Sequence, residues 1–228
     1  MISYKNITIL GTSHISIESV NEVESAIRSI NPDVVALELD RKRFNALFSN
    51  KRRISVWDIR TIGIKGFLFN LIGSFVEKKL GKMVGVSPGS EMKKATLVAK
   101  ELKCNIALID QDISITLNNI SKRLTFKEKM NFFFDLLKGV FKREKIKFDL
   151  HKVPSREIIK KLTNKVRKRY PNVYSVLVDD RNKYMAKNLY KLMLSYNKII
   201  AIVGAGHEED LVKEIKIWES SMKKRAST

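Results

Sequence analysis

Ile7-Thr8-Ile9-Leu10 is a short apolar run that Gly11 breaks. From Ile17 onward, Val20, Val23, Ile27 and Ile30 recur at helical spacing, and Asn31-Pro32 ends the pattern. Val34-Val35-Ala36-Leu37 is a second apolar run, rich in β-branched residues. Strand, helix, strand with near-continuously apolar strands predicts a parallel βαβ unit covered on both faces. The alternation continues downstream. Helices are expected over Asp40–Ser49, over the very apolar Ile59–Leu80, and from Ser87-Pro88 through Leu102. A third strand is expected over Asn105–Ile109, with Cys104 buried beside it. Then come a short helix at Asp112–Ile120 and an aromatic helix at Thr125–Phe141, whose Phe132, Phe133 and Phe134 read as core. A basic helix ends at Arg169, and a longer one after Pro171 aligns Met185, Leu189, Leu192 and Tyr196. Ile199–Val203 is the last expected strand, and Glu208–Trp218 the last helix. No proline- or glycine-rich linker interrupts the series. The expected fold is therefore α/β: a mostly parallel central sheet flanked by helices, in a single domain over 1–228 with a basic helical insertion at 112–170.

Two segments repeat one unit. Ile7-Thr8-Ile9-Leu10-Gly11-Thr12-Ser13-His14 and Ile200-Ala201-Ile202-Val203-Gly204-Ala205-Gly206-His207 each run from four apolar residues through Gly-x-x-His into a helix. Parallel sheets bind ligands beyond the C-terminal ends of their strands, where both histidines would stand. The chain has 3 histidines, and 2 of them hold this equivalent place, while His151 falls in a basic segment and reads as surface. Imidazoles serve as metal ligands and proton carriers. Glu38 follows the second strand and could complete a metal shell or act as general base; pairing with an arginine is the alternative. Asp110 repeats that placement after the third strand, with a capping or arginine-paired role as its alternative. Neither glycine segment matches a dinucleotide fingerprint or a phosphate loop, and no His-Glu-x-x-His or nucleophile elbow occurs.

Charge adds a second theme. Lysine and arginine total 44 against 24 acidic residues, a formal charge of +20. Lys160, Lys161, Arg167, Lys168 and Arg169 make the densest basic stretch and are candidate surface-binding residues. Such a balance attracts anionic partners, an anionic membrane surface among them, but no nucleic-acid module accompanies it, so specific nucleic-acid recognition is not expected. One cysteine excludes an intrachain disulfide and a thiolate cluster. No signal peptide is read at Met1–Lys5, and the longest uncharged stretch near the middle, Gly66–Val76, is well short of the ~20 residues that span a bilayer. The apolar Ile59–Leu80 segment implies instead a core, membrane-surface or homodimer contact.

Further stretches bring in a resemblance. Gly11-Thr12-Ser13-His14, Pro32 through Arg41, Pro88-Gly89-Ser90-Glu91-Met92, Leu108 through Ile113, Asp179 through Met185 and Gly204-Ala205-Gly206-His207 follow in order the pattern of TraB/PrgY proteins, which the chain resembles over nearly its whole length. That family includes pheromone-shutdown proteins and is related to the Tiki Wnt-cleaving proteases and, more distantly, to the erythromycin-esterase-like and ChaN-like folds. The resemblance implies a divalent-metal peptidase site (Mn, Zn or Co) in which His14, His207 and Glu38 are ligands, with Glu38 also the general base. Arg181, in Asp179-Asp180-Arg181-Asn182, would steady the oxyanion; Asp110 and Glu91 are further candidates. It equally implies a noncatalytic module that binds a peptide or protein ligand. Many members continue into a C-terminal membrane region, which this chain does not contain, so a place on the cytoplasmic side of a membrane is the expected setting.

Overall fold

In the computed structural model, residues 1–12, 17–49, 89–141 and 156–226 are described. The predicted helix at Ile59–Leu80, His151 and the segment carrying His14 lie outside them.

Five strands form one sheet: β1 (Ile2–Tyr4), β2 (Ile7–Thr12), β3 (Val34–Leu37), β4 (Asn105–Leu108) and β5 (Ile199–Gly204). Their spatial order is β1-β2-β5-β3-β4. β2, β5, β3 and β4 run parallel, and β1 pairs antiparallel with β2 at the edge. The mostly parallel α/β expectation holds. The sequence reading lacked β1, three residues long, because a strand that short carries no readable alternation.

β5 comes last in sequence yet lies in the middle, and all six of its residues are buried. Its side chains alternate between two apolar layers. Ile199, Ala201 and Val203 pack with Met185, Leu189 and Leu211 of α8 (Asp180–Met193) and α9 (Glu208–Ala226). Ile200 and Ile202 pack with Val23, Ile27, Ala95 and Ala99 of α1 (Ile17–Ile30) and α3 (Ser90–Glu101). Helices thus cover both faces, which is why β3 and β5 lack polar alternation.

The other elements serve mainly to reach the strand ends. α2 (Arg41–Phe48) starts at Asp40, whose carboxylate accepts the Lys42 and Arg43 N–H groups. α3 begins after Gly89, at φ 82°, a conformation that favours glycine; the expected start at Ser87-Pro88 lies outside the described residues. α4 (Ile113–Arg123), α5 (Phe126–Phe141) and α6 (Arg156–Arg169) fall between β4 and β5. After them the long helix read beyond Pro171 runs continuously through α7 (Pro171–Tyr174), a π-helical turn (Ser175–Asp179) and α8. Two expectations change. Cys104 is only half-buried, and burial, followed by the Asp33 carboxylate, pushes its thiol pKa up, which is the wrong direction for a nucleophile. Phe132, Phe133 and Phe134 are exposed, because the polar side of α5 faces the domain.

Candidate functional site

The C-terminal ends of β3, β4 and β5 bring together side chains far apart in sequence. Glu38, one residue past β3, is buried. Its Oε2 accepts the Gly204 N–H at 2.6 Å, and its Oε1 accepts from Arg181 Nη2. Asp110, two residues past β4, accepts from Arg181 Nε and Nη2, the latter at 2.6 Å. Arg43 donates to Asp110 at 2.6 Å and to Asp40 at 2.6 Å. Asp110 Oδ1 also accepts the N–H of Gln111 at 2.8 Å. Three carboxylates and two guanidiniums therefore interlock across the ends of two strands and the start of α2.

Arg181 is the hinge of this network. Burial works against its charge, and the Glu38 and Asp110 carboxylates more than offset that, so its pKa moves up from the ordinary arginine value. Arg43 is raised for the same reason, by Asp110 first. Arg181 Nη1 donates to the Leu177 carbonyl at 3.2 Å, within the π-helical turn. Widened turns of this kind free a carbonyl from the helix ladder, and here Leu177 fixes the guanidinium plane.

His207, buried at the foot of α9, faces the same network. Its Nδ1 is 2.6 Å from Asn182 Oδ1, and its Nε2 is 3.4 Å from Glu38 Oε1. An amide oxygen only accepts, so Nδ1 carries the proton and Nε2 is left to face the carboxylate. The turn before it is held tightly: Ala205 N–H donates to the Thr12 carbonyl at 2.9 Å, and Thr12 Oγ1 to the Val203 carbonyl at 3.1 Å. Gly11 is required by this closeness, because a Cβ there would lie 2.9 Å from Ala205 Cα and 3.3 Å from the Glu208 carboxyl carbon. Gly11→Ala is expected to lower stability by about 1–3 kcal/mol, the usual cost of overpacking, in a urea melt followed by circular dichroism.

Glu91 is buried in the first turn of α3. Because α3 leads directly into the start of β4, that turn points toward the end where the strands finish. Beside the centre, a cavity of ≈ 340 Å³ opens between Gly11, the Ala205-Gly206 turn, the first turn of α9 and α6, which contributes Lys160 and Arg167. Neither His207 nor Glu38 lines it. Lys161 and Lys168 are exposed outside it, and Arg169 is bound to Asp135. Arg43 and Asn182 were missed by sequence reasoning. Asn182 stands inside the stretch that carried the family resemblance; Arg43 carried no signal beyond its place three residues after Asp40.

A profile of the TraB/PrgY/gumN family matches residues 3–212. The chain belongs to that family. It is 38% identical over 220 residues to an uncharacterized protein of Methanocaldococcus jannaschii, covering 94% of this chain and 54% of the relative. It is 24% and 23% identical over 190 residues to the TraB domain-containing proteins of Mus musculus and Homo sapiens, covering 78% of this chain and 50% of each relative. The chain thus spans about half the length of the curated relatives it matches.

The metal expected from the sequence can be tested against this TraB-type domain's own donors. An imidazole and a carboxylate, His207 Nε2 and Glu38 Oε1, converge. Catalytic metals usually take three protein ligands, and among the described residues no group of three or more His, Cys, Asp or Glu is placed to hold one. The described residues alone do not complete a metal shell. Among the described residues, no helix is long and apolar enough to cross a membrane.

Proposed function

We propose that this TraB-type domain hydrolyses peptide or amide-like bonds, with His207 as its proton carrier. One observation supports this reading above the others: the His207 ring is oriented by Asn182 at Nδ1 and presents Nε2 to Glu38, at the strand ends where parallel sheets bind ligands. In that reading a water beside Nε2 gives up a proton to His207 as it attacks the carbonyl. Glu38, fixed by Arg181 and the Gly204 N–H, stabilises the imidazolium that forms. The proton then passes from Nε2 to the departing amine. Arg181 uses Nε and Nη2 on carboxylates, so its second Nη1 N–H, which has no partner among the described residues, is the donor left for the oxyanion. With His14 as a third ligand, His207 Nε2 and Glu38 could instead hold Mn²⁺, Zn²⁺ or Co²⁺, which would itself acidify the water in place of His207, because a metal-bound Nε2 has no lone pair left for the proton.

The test is turnover of a fluorogenic peptide mixture by the purified chain, with and without each ion, against His207→Ala. Loss of about a hundredfold or more in the variant supports the proposal. Equal turnover by both proteins overturns it. Calorimetric titration of chelator-stripped protein with each ion, compared with His14→Ala/His207→Ala, tests the metal separately; equal heats remove it.

A second reading is a noncatalytic peptide-binding module. It is favoured by the arginine partners of Glu38, Asp40 and Asp110, which make the cluster rigid. Peptide binding without cleavage, unchanged in His207→Ala, would establish this reading in place of the first.

A further inference from the structure

α5 is built inside out. Glu128, Asn131 and Asp135, spaced to share one face at about 3.6 residues per turn, point into the domain. Glu128 is buried against Thr125, Asn172 and Val173. Asn131 donates to the Arg169 carbonyl, and Asp135 holds Arg169 and Tyr170. The opposite face carries Phe126, Met130, Phe133 and Phe134. Phe126 is 76% exposed, Phe133 55% and Phe134 50%. A helix that spends its polar residues inward and its aromatic ones outward gains nothing from water on the outer side, and exposed apolar patches of this kind mark interaction surfaces.

We propose that this face of α5 docks on an anionic lipid bilayer. The charges beside it select that occupant. Lys127 and Lys129 stand on the two shoulders of the aromatic face, both exposed. This is the arrangement of a helix lying in a membrane interface, with rings below and lysine stems reaching back to the headgroups. A second copy of the chain is a poor occupant. A two-fold pairing of this face would bring the shoulder lysines of both copies to one seam, in a chain that already carries a formal charge of +20. An anionic leaflet meets the same lysines with opposite charge. The surface is separate from the strand-end centre and does not rest on the hydrolytic reading.

The experiment is co-sedimentation of the full chain with vesicles of phosphatidylcholine alone and of phosphatidylcholine with phosphatidylserine, at low and physiological salt. Wild type is expected to pellet with the anionic vesicles at both salts. Phe126→Ser/Phe133→Ser is expected to lose roughly tenfold in partitioning per ring. Lys127→Glu/Lys129→Glu, which still leaves a strongly basic chain, is expected to weaken the preference for anionic vesicles, most visibly at physiological salt. Both variants alter exposed side chains, and matching thermal melts would show that the fold is intact. Equal partitioning of wild type and the phenylalanine variant would overturn the proposal, by leaving only general charge attraction. So would wild type remaining in the supernatant with every vesicle. Gel filtration supplies a third such outcome: a wild-type dimer that the phenylalanine variant turns into a monomer, without vesicle binding, would give the face to a second copy.

Discussion

Arg181→Met is expected to cost about 3–5 kcal/mol of folding stability, the cost of stranding buried charges by removing their partner. The reason is the position of the guanidinium, which lies between two carboxylates from different strands, Glu38 and Asp110, both buried. Methionine fills the volume but carries no donors. Glu38 keeps the Gly204 N–H, and Asp110 keeps Arg43 and the Gln111 N–H, so the loss should fall in the lower part of that range. Urea unfolding followed by circular dichroism measures it. A loss under about 1 kcal/mol would mean that the network contributes no more than surface ion pairs do. Adding Glu38→Gln and Asp110→Asn to Arg181→Met should recover much of the loss, since the stranded charges are then gone.

Glu128→Ala is expected to cost about 2–4 kcal/mol, counting about 1–2 for each of two helix starts. Its carboxylate accepts Thr125 N–H at 3.0 Å and Thr125 Oγ1 at 2.9 Å, capping α5 in the Thr-x-x-Glu pattern. It also accepts Asn172 N–H at 2.8 Å, in the first turn of α7, so one side chain caps two helices. Burial pushes this carboxyl up, but the bonds from Thr125 and Asn172 outweigh burial and set its pKa below the usual glutamate value. A depressed carboxylate contributes stability that is fully present above its unfolded pKa, about 4.3, and is lost as pH falls through the lower folded value. The gap in urea stability between wild type and Glu128→Ala should therefore be constant near neutrality and narrow below about pH 4. A gap that widens on acidification would reverse the assigned direction of the shift.

How far these features were legible depended on whether they were local. The strands β2, β3 and β5 could be read because double-sided burial leaves an unbroken apolar run, and Gly204 marks where β5 stops, although β2 runs on through Gly11, which the sequence reading took as its break, to Thr12. Glu38, Asp110 and His207 could be placed at strand ends by the same logic. What bound them together could not. Nothing around Arg181 says that it reaches both carboxylates, because that depends on β5 lying beside β3. The π-helical turn that orients Arg181 through Leu177 leaves no compositional trace. The phenylalanines of α5 misled because their spacing fits a buried stripe equally well. Only the partners of Glu128 and Asp135, which lie on residues 169–173, decide which side faces inward.

The central place of β5 has a consequence for how such a chain is made. Ile7 pairs with Ile199 and Val34 with the same Ile199, so β2 and β3 meet only through a strand synthesised long after both. A nascent chain that has emerged as far as Lys198 holds two bare strand edges and two apolar helix faces, with no staple between them. Sheets closed by such distant segments form slowly, and their open intermediates stick to one another. The final strand therefore acts as a keystone: the ion-pair network and the histidine come into register in the same event that makes the protein safe from aggregation.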